Sequence, residues 1–234
     1  MNDRHFIQFH DLPLLYGRVP KVANSSIKAC LCRLLKTSPE QGSRTTSDAF
    51  WSQGTHGETS MTDKYSARMC RGTHFSFSFV RNPFDRLVSA YNNKILELDE
   101  VPGPMQAMGL SHNMGFPAFL ETIVGAVDAA MDVHLLPQSS ILCLDGQLIP
   151  NFIGRLETMA TDWQHLETCM KRVGLPSLGN LPEKNRRRSD DRSDVSQYFS
   201  DPGLVQLVVD RYGDDLDLFY GAFDLQDLSR GHLS

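Results

Sequence analysis

A short apolar run from Leu12 to Val19 stops at Pro20 and gives way to the small polar residues Ala23 to Ser26. Beyond it, Ile27, Leu31, Leu34 and Leu35 recur at helical spacing. Strand, tight turn and helix in that order constrain the fold more than any other stretch of the chain. The arrangement aims backbone N–H groups and the positive end of a helix dipole at one point, which favours an anion there. Lys21 adds a point charge, and Ser25 and Ser26 add hydroxyl donors. Both glycines of a G-x-x-x-x-G-K-[ST] loop are missing and the lysine comes early, which argues against an ATPase or GTPase. An ordinary capped helix start is the competing explanation of the same residues.

A second segment carries complementary chemistry. His74 to Val80 (HFSFSFV) alternates aromatic and small polar residues as a strand does. Asn82-Pro83 then supplies a helix N-cap and a first-turn proline, and Leu87, Val88, Tyr91 and Ile95 mark a buried helix face. Arg81 falls at the end of the strand and Ser89 about two turns along the helix. A guanidinium and a hydroxyl converging from strand and helix suit a phosphate monoester. In open α/β sheets such ligands lie at the carboxyl ends of the strands, where the first segment also points. Pairing of Arg81 and Arg86 with surface carboxylates is the alternative.

The remaining chain gives the setting. With 234 residues there is room for one α/β domain, 1–234, with a large core. Strands alternating with helices predict a parallel sheet flanked by helices. Residues 37–73 read as a long loop with short helical pieces, and 99–114 as another loop. Phe116 to Met131, Thr161 to Val173 and Leu204 to Tyr212 read as helices, the second closing at Gly174. Leu216 to Phe223 reads as a last short element, and Ile141 to Leu144 and Asn151 to Ile153 as short strands. Residues 176–196, with the basic run Lys184 to Arg188 at their centre, predict a mobile polar loop; a lid or a contact for an anionic ligand is the alternative. A net charge of −5 gives no global attraction to nucleic acid or anionic membrane, so an anionic ligand needs a local basic cluster. Five cysteines without a zinc spacing predict free thiols in a reducing compartment and no metal. The start of the chain has no basic-then-apolar leader, and no stretch reaches the roughly 18 apolar residues of a membrane span. These features predict a cytoplasmic protein, a catalytic fragment of a longer anchored one being the alternative.

V-P-K-V-A-N-S-S-I-K around Lys21, followed by F-V-R-N-P-F-D-R-L-V-S-A-Y from Phe79, resembles the two segments of sulfotransferases that bind 3′-phosphoadenosine 5′-phosphosulfate (PAPS). The resemblance is to the carbohydrate branch that includes chondroitin 4-O-sulfotransferases and bacterial enzymes. Val133 to Gln138 and Phe152 to Thr158 resemble later segments of that branch, so the match runs from about Val19 to about Phe223. It implies a nucleotide-kinase-like sulfotransferase fold, PAPS as donor without a metal, and a hydroxyl acceptor on a glycan. It further implies that Lys21, Ala23, Asn24, Ser25, Ser26 and Ile27 hold the 5′-phosphosulfate, and that Arg81 and Ser89 hold the 3′-phosphate. A histidine takes the acceptor proton in such a reaction. His56, on the polar loop before the second segment, resembles the base of glycan sulfotransferases, and His134 is the other candidate. Asn24 stands where relatives often carry Gly or Cys, and a start almost at the first strand leads one to expect a protein without the anchor and stem of Golgi relatives. Two other readings compete: a kinase-like phosphotransferase, and a nucleotide-binding module of the same fold without turnover.

Overall fold

The computed structural model of the chain describes residues 3–182 and 195–233. These fall into two compact units, 3–80 with 141–182 and 81–140 with 195–233. The first is built on a sheet and the second on helices.

The chain opens with an antiparallel hairpin of β1 (Phe6–Phe9) and β2 (Leu14–Gly17), Ile7 lying opposite Tyr16. β1 went unread in the sequence because four residues, three of them apolar, show no period. α1 (Asn24–Leu31) follows and ends in a 3-10 turn, Cys32–Leu34. The expected loop at 37–73 instead contains α2 (Asp48–Gln53), β3 (Thr59–Thr62) and α3 (Lys64–Met69). Both helices are started by side-chain caps: Ser47 accepts from the Phe50 N–H and Asp63 from that of Ser66. β4 (Phe75–Val80) closes this part of the sheet unit.

The helical unit begins with α4 (Pro83–Tyr91), where Asn82 caps the Phe84 N–H as its sequence predicts. Leu87, Val88, Tyr91 and Ile95 are buried, as the helical spacing requires. α5 (Gly103–Ala107) interrupts the expected loop at 99–114, and α6 (Phe116–Val124) stops short of Met131 at Gly125, a poor helix former. α7 (Gln138–Leu142) occupies part of the strand expected at Ile141 to Leu144, leaving β5 only Cys143–Leu144. β5 pairs with β6 (Gln147–Leu148) across Asp145-Gly146, both at positive φ. β7 (Phe152–Arg155) and α8 (Met159–Arg172) complete the sheet unit. α9 (Val195–Tyr198), α10 (Pro202–Tyr220) and α11 (Leu225–Arg230) belong to the helical unit. α10 joins the two elements expected around Leu204 and Leu216, with a kink at Tyr212 between them. Residues 183–194, which hold most of the loop expected at 176–196 and all of its basic run, lie outside the described residues.

The main sheet has the order β3-β1-β2-β4-β7. β2, β4 and β7 run parallel, while β1 is antiparallel to both β2 and β3, so the α/β architecture is as expected but the sheet is mixed. α2, α3 and α8 pack on this sheet. β4 is a central strand buried on both faces, which its aromatic-small alternation does not announce. Ser76 and Ser78 are fully buried, with hydroxyls donating to Asn151 Oδ1 (2.9 Å) and to the Gly17 carbonyl (2.6 Å). On β7, a Cβ at Gly154 would come within 2.3 Å of the Phe79 ring, so only glycine lets that ring lie between β7 and Trp163 of α8.

His5, just before β1, is 7% exposed and its Nδ1 has no hydrogen-bond partner. Burial, helped by the Arg18 charge, lowers its ring pKa from 6.5 to about 4. The unfolded chain therefore takes up a proton at His5 before the folded one does, and stability falls as pH drops from 6.5 towards 4. Allowing for screening, the loss by pH 4.5 is about 2 kcal/mol, or about 4 to 8 °C in Tm. In His5→Phe that part of the pH dependence is expected to vanish. Equal Tm slopes for wild type and variant between pH 7 and 4.5 would remove His5 from the account.

Candidate functional site

The first candidate constellation lies wholly in the sheet unit. β2 ends at Gly17, and Arg18 to Ala23 lead into α1. Lys21 (φ 68°) and Ala23 (φ 46°) both have positive φ, so the backbone turns sharply between β2 and α1. Ala23 makes no side-chain cap; its carbonyl accepts from the N–H groups of Ser26 (2.9 Å) and Ile27 (3.0 Å). Lys21, Asn24 and Ser25 are half-buried, whereas Ser26 and Ile27 are buried. The Ile27 side chain is therefore a core group, and only its backbone belongs to the turn. Tyr16 donates to Asn24 Oδ1 (3.2 Å), so the asparagine side chain is anchored to β2.

Two basic residues of the same segment brace the turn. Arg18 and Lys28 are buried, and both reach Asp48 at the start of α2 at 2.8 Å. Lys28 also donates to the Thr46 carbonyl (3.0 Å). One carboxylate shared by two cations leaves a net positive charge beneath the turn. Burial pulls both cations below their ordinary pKa, and Asp48 opposes that pull.

His56 sits on the turn between α2 and β3, exposed and at φ 51°. Its neighbours are clamped: Thr55 and Thr59 are buried and share a hydroxyl contact (2.9 Å), and Thr59 Oγ1 donates to the Trp51 carbonyl (2.9 Å). The His10 ring bonds the Gly57 carbonyl (2.7 Å) and Ser60 Oγ (3.0 Å). Among the described residues five non-glycines have positive φ: Lys21, Ala23, His56, Asn113 and Asp145. His56, Asn113 and Asp145 are residue types that tolerate this conformation, while Lys21 and Ala23, both candidate site residues, are not.

The second constellation lies in the helical unit. From 81 to 91 every residue is buried except Arg81, Asp85 and Ser89, which are half-buried and spaced four apart. They form one polar line along an otherwise buried helix, and the Arg81 guanidinium lies 3.9 Å from Asp85. Arg86, by contrast, is fully enclosed and donates to the carbonyls of Leu136 (2.8 Å) and Val133 (3.3 Å).

Arg86 is thus one of several groups that hold residues 132–139, a turn that runs into α7 and satisfies part of its backbone through side chains. The Tyr212 hydroxyl donates to the Leu135 carbonyl (2.6 Å). The fully buried Asp215 accepts from the N–H groups of Gln138 (2.8 Å) and Ser139 (2.7 Å). Burial pushes the Asp215 carboxyl up, against the pull of those N–H groups. His134 is held by Asp132, whose Oδ1 lies 2.7 Å from its Nδ1 and accepts its backbone N–H at 2.9 Å. Burial raises the Asp132 pKa, but the His134 hydrogen bonds overcome it and leave the carboxyl below its ordinary value. Sequence reasoning missed Asp48, Asp132, Gln138 and Asp215. Asp215 had one legible signal, an acid on the apolar stripe Tyr212, Leu216, Phe219 of α10.

The sequence profile of the sulfotransferase family matches residues 4–221, and the chain belongs to that family. It is similar to human carbohydrate sulfotransferase 14, 26% identical over 67% of this chain and 44% of the relative. Human carbohydrate sulfotransferase 9 is 26% identical over 63% of this chain and 37% of the relative. The Danio rerio carbohydrate sulfotransferase 14 is 29% identical over 47% and 33%. The chain therefore spans less than half the length of these relatives. No solved structure was found to match it. These matches overturn the expected cytoplasmic placement: they are to the carbohydrate branch, which has Golgi members, and a partial match of this kind gives the start of the chain no weight. Among the described residues no helix is long and apolar enough to cross a membrane.

Proposed function

We propose that the protein transfers a sulfuryl group from PAPS to a hydroxyl of a carbohydrate. The observation that carries this reading is the coincidence of positive-φ backbone with the candidate residues Lys21 and Ala23, in the turn that resembles the phosphosulfate-binding segment. The residues fit the donor: the turn from Lys21 to Ile27 offers a helix start and an ammonium for the phosphosulfate, and Arg81 and Ser89 offer a guanidinium and hydroxyl for the 3′-phosphate. PAPS supplies the sulfuryl group and leaves as 3′,5′-ADP. Lys21 neutralises charge on the phosphate oxygen released, while Ser25 and Ser26 orient the sulfuryl oxygens. The His56 imidazole accepts the acceptor hydroxyl proton as that oxygen bonds to sulfur. His134 is the second reading for the base, because Asp132 orients its ring. The carbohydrate acceptor rests on the names of the relatives.

A thermal-shift titration with 3′,5′-ADP, 5′-AMP and ATP, on wild type and Arg81→Ala, tests this reading. A ligand at a hundred times its Kd adds about 2.7 kcal/mol, or about 5 to 10 °C here. The expected result is a shift selective for the 3′-phosphate and lost in the variant. A shift with ATP instead, or none with any nucleotide, would sink the proposal.

A further inference from the structure

The Arg81 backbone is held by a side chain rather than by a strand or helix partner. Its N–H donates to Gln138 Oε1 at 2.9 Å, and its carbonyl accepts from Gln138 Nε2 at 2.8 Å. One primary amide satisfies both main-chain groups, as a neighbouring strand would. Gln138 is fully buried, and its orientation is fixed by donor and acceptor logic: Oε1 must face the Arg81 N–H, and Nε2 faces two acceptors, the Arg81 carbonyl and Asp215 Oδ2 (3.3 Å). Asp215 in turn accepts the N–H groups of Gln138 and Ser139, while Arg86 and Tyr212 secure the carbonyls of Val133, Leu135 and Leu136. The Arg81 side chain stays half-buried beside Asp85 while its backbone is pinned from behind.

We propose that Gln138 and Asp215 are positioning residues for Arg81: the carboxylate locks the glutamine amide, and the amide sets the backbone angle from which the guanidinium reaches the 3′-phosphate of the nucleotide. The inference rests on the reading of Arg81 given above. It follows that discrimination for the 3′-phosphate depends on an acid of α10 that touches no ligand. Gln138→Met keeps the length of the side chain and removes both hydrogen bonds to Arg81 and the one to Asp215. An Asn at 215 keeps the shape but sets an NH2 against backbone N–H donors.

The test is calorimetric binding of 3′,5′-ADP and 5′-AMP to wild type, Gln138→Met, Asp215→Asn, Arg81→Ala and the Gln138→Met/Arg81→Ala double variant. Gln138→Met is expected to weaken 3′,5′-ADP about tenfold or more and 5′-AMP by less than about twofold, with Asp215→Asn showing the same selectivity. The double variant is expected to bind 3′,5′-ADP no more weakly than Arg81→Ala alone, because both changes remove one interaction. A merely structural Gln138 would weaken both nucleotides alike and add its loss to that of Arg81→Ala; either result overturns the inference. Selectivity lost in Arg81→Ala but kept in Gln138→Met overturns it alone. Selectivity kept in Arg81→Ala overturns the reading of Arg81 and the inference with it. Should Gln138→Met not fold, Asp215→Asn decides by the same ratio of affinities.

Discussion

Lys21→Ala is expected to lower sulfuryl transfer about 10²- to 10³-fold, the cost of removing one preorganised charge from a site where negative charge develops. The backbone makes this substitution unusually clean. Lys21 lies at φ 68°, and alanine bears the same conformational cost there as lysine, so the variant differs only in the side chain beyond Cβ. Glycine would relax the turn and mix a gain in backbone freedom with the loss of the ammonium. Arg18 and Lys28 keep their hold on Asp48, so the positive charge beneath the turn persists and the folded structure is expected to remain. The measurement is transfer of ³⁵S from PAPS to a hydroxyl-bearing glycan, with 3′,5′-ADP binding followed in parallel. Turnover within about threefold of wild type would remove Lys21 from the transfer step.

The second large effect separates the two histidines. His56→Ala is expected to reduce turnover about 10²- to 10⁴-fold, the usual worth of a general base. Because His56 is exposed, and its turn is clamped by Thr55, Thr59 and His10 instead, Tm is expected to stay within the small range of surface substitutions. Activity lost without stability lost is difficult to ascribe to anything but chemistry. For His134→Ala the opposite pattern is expected: a lower Tm, since Asp132 loses the ring hydrogen bond that helps to offset its burial, and turnover within about tenfold. If His134→Ala abolishes transfer and His56→Ala does not, the base is His134 with Asp132 as its orienting carboxylate. If both variants retain activity, the proton leaves by another route and the histidine mechanism fails.

The parts of the molecule legible in the sequence were those with local causes. Asn82-Pro83 announced α4 through capping chemistry, and the run of phenylalanines announced β4. Lys21, the small residues after it and Arg81 stood out because a turn between strand and helix has its own composition. What stayed hidden depends on partners distant in the chain. β1 and β3 are four-residue strands whose identity comes from pairing with each other, a constraint no window of sequence contains. α7 took residues that read as a strand because Asp215, 77 positions beyond Gln138, caps it. The positive φ of His56 was equally invisible, since nothing in Thr-His-Gly states that buried threonines on either side hold the histidine outward.

The two units interleave along the chain, and this bears on how the protein is made. As synthesis proceeds, β4 emerges with β2 to pair with on one side, but its partner on the other side, β7, is encoded far downstream; Asn151 trails Ser76 by 75 residues. In between, the ribosome delivers residues 81–140, whose own unit is still waiting for its C-terminal helices. Each unit is therefore left unfinished while part of the other is translated, and a nascent chain bears an apolar strand edge for the whole of that interval. Cutting the gene at any single point cannot release either unit intact, so fragments expressed from one end are expected to aggregate, and slower translation would prolong the vulnerable state.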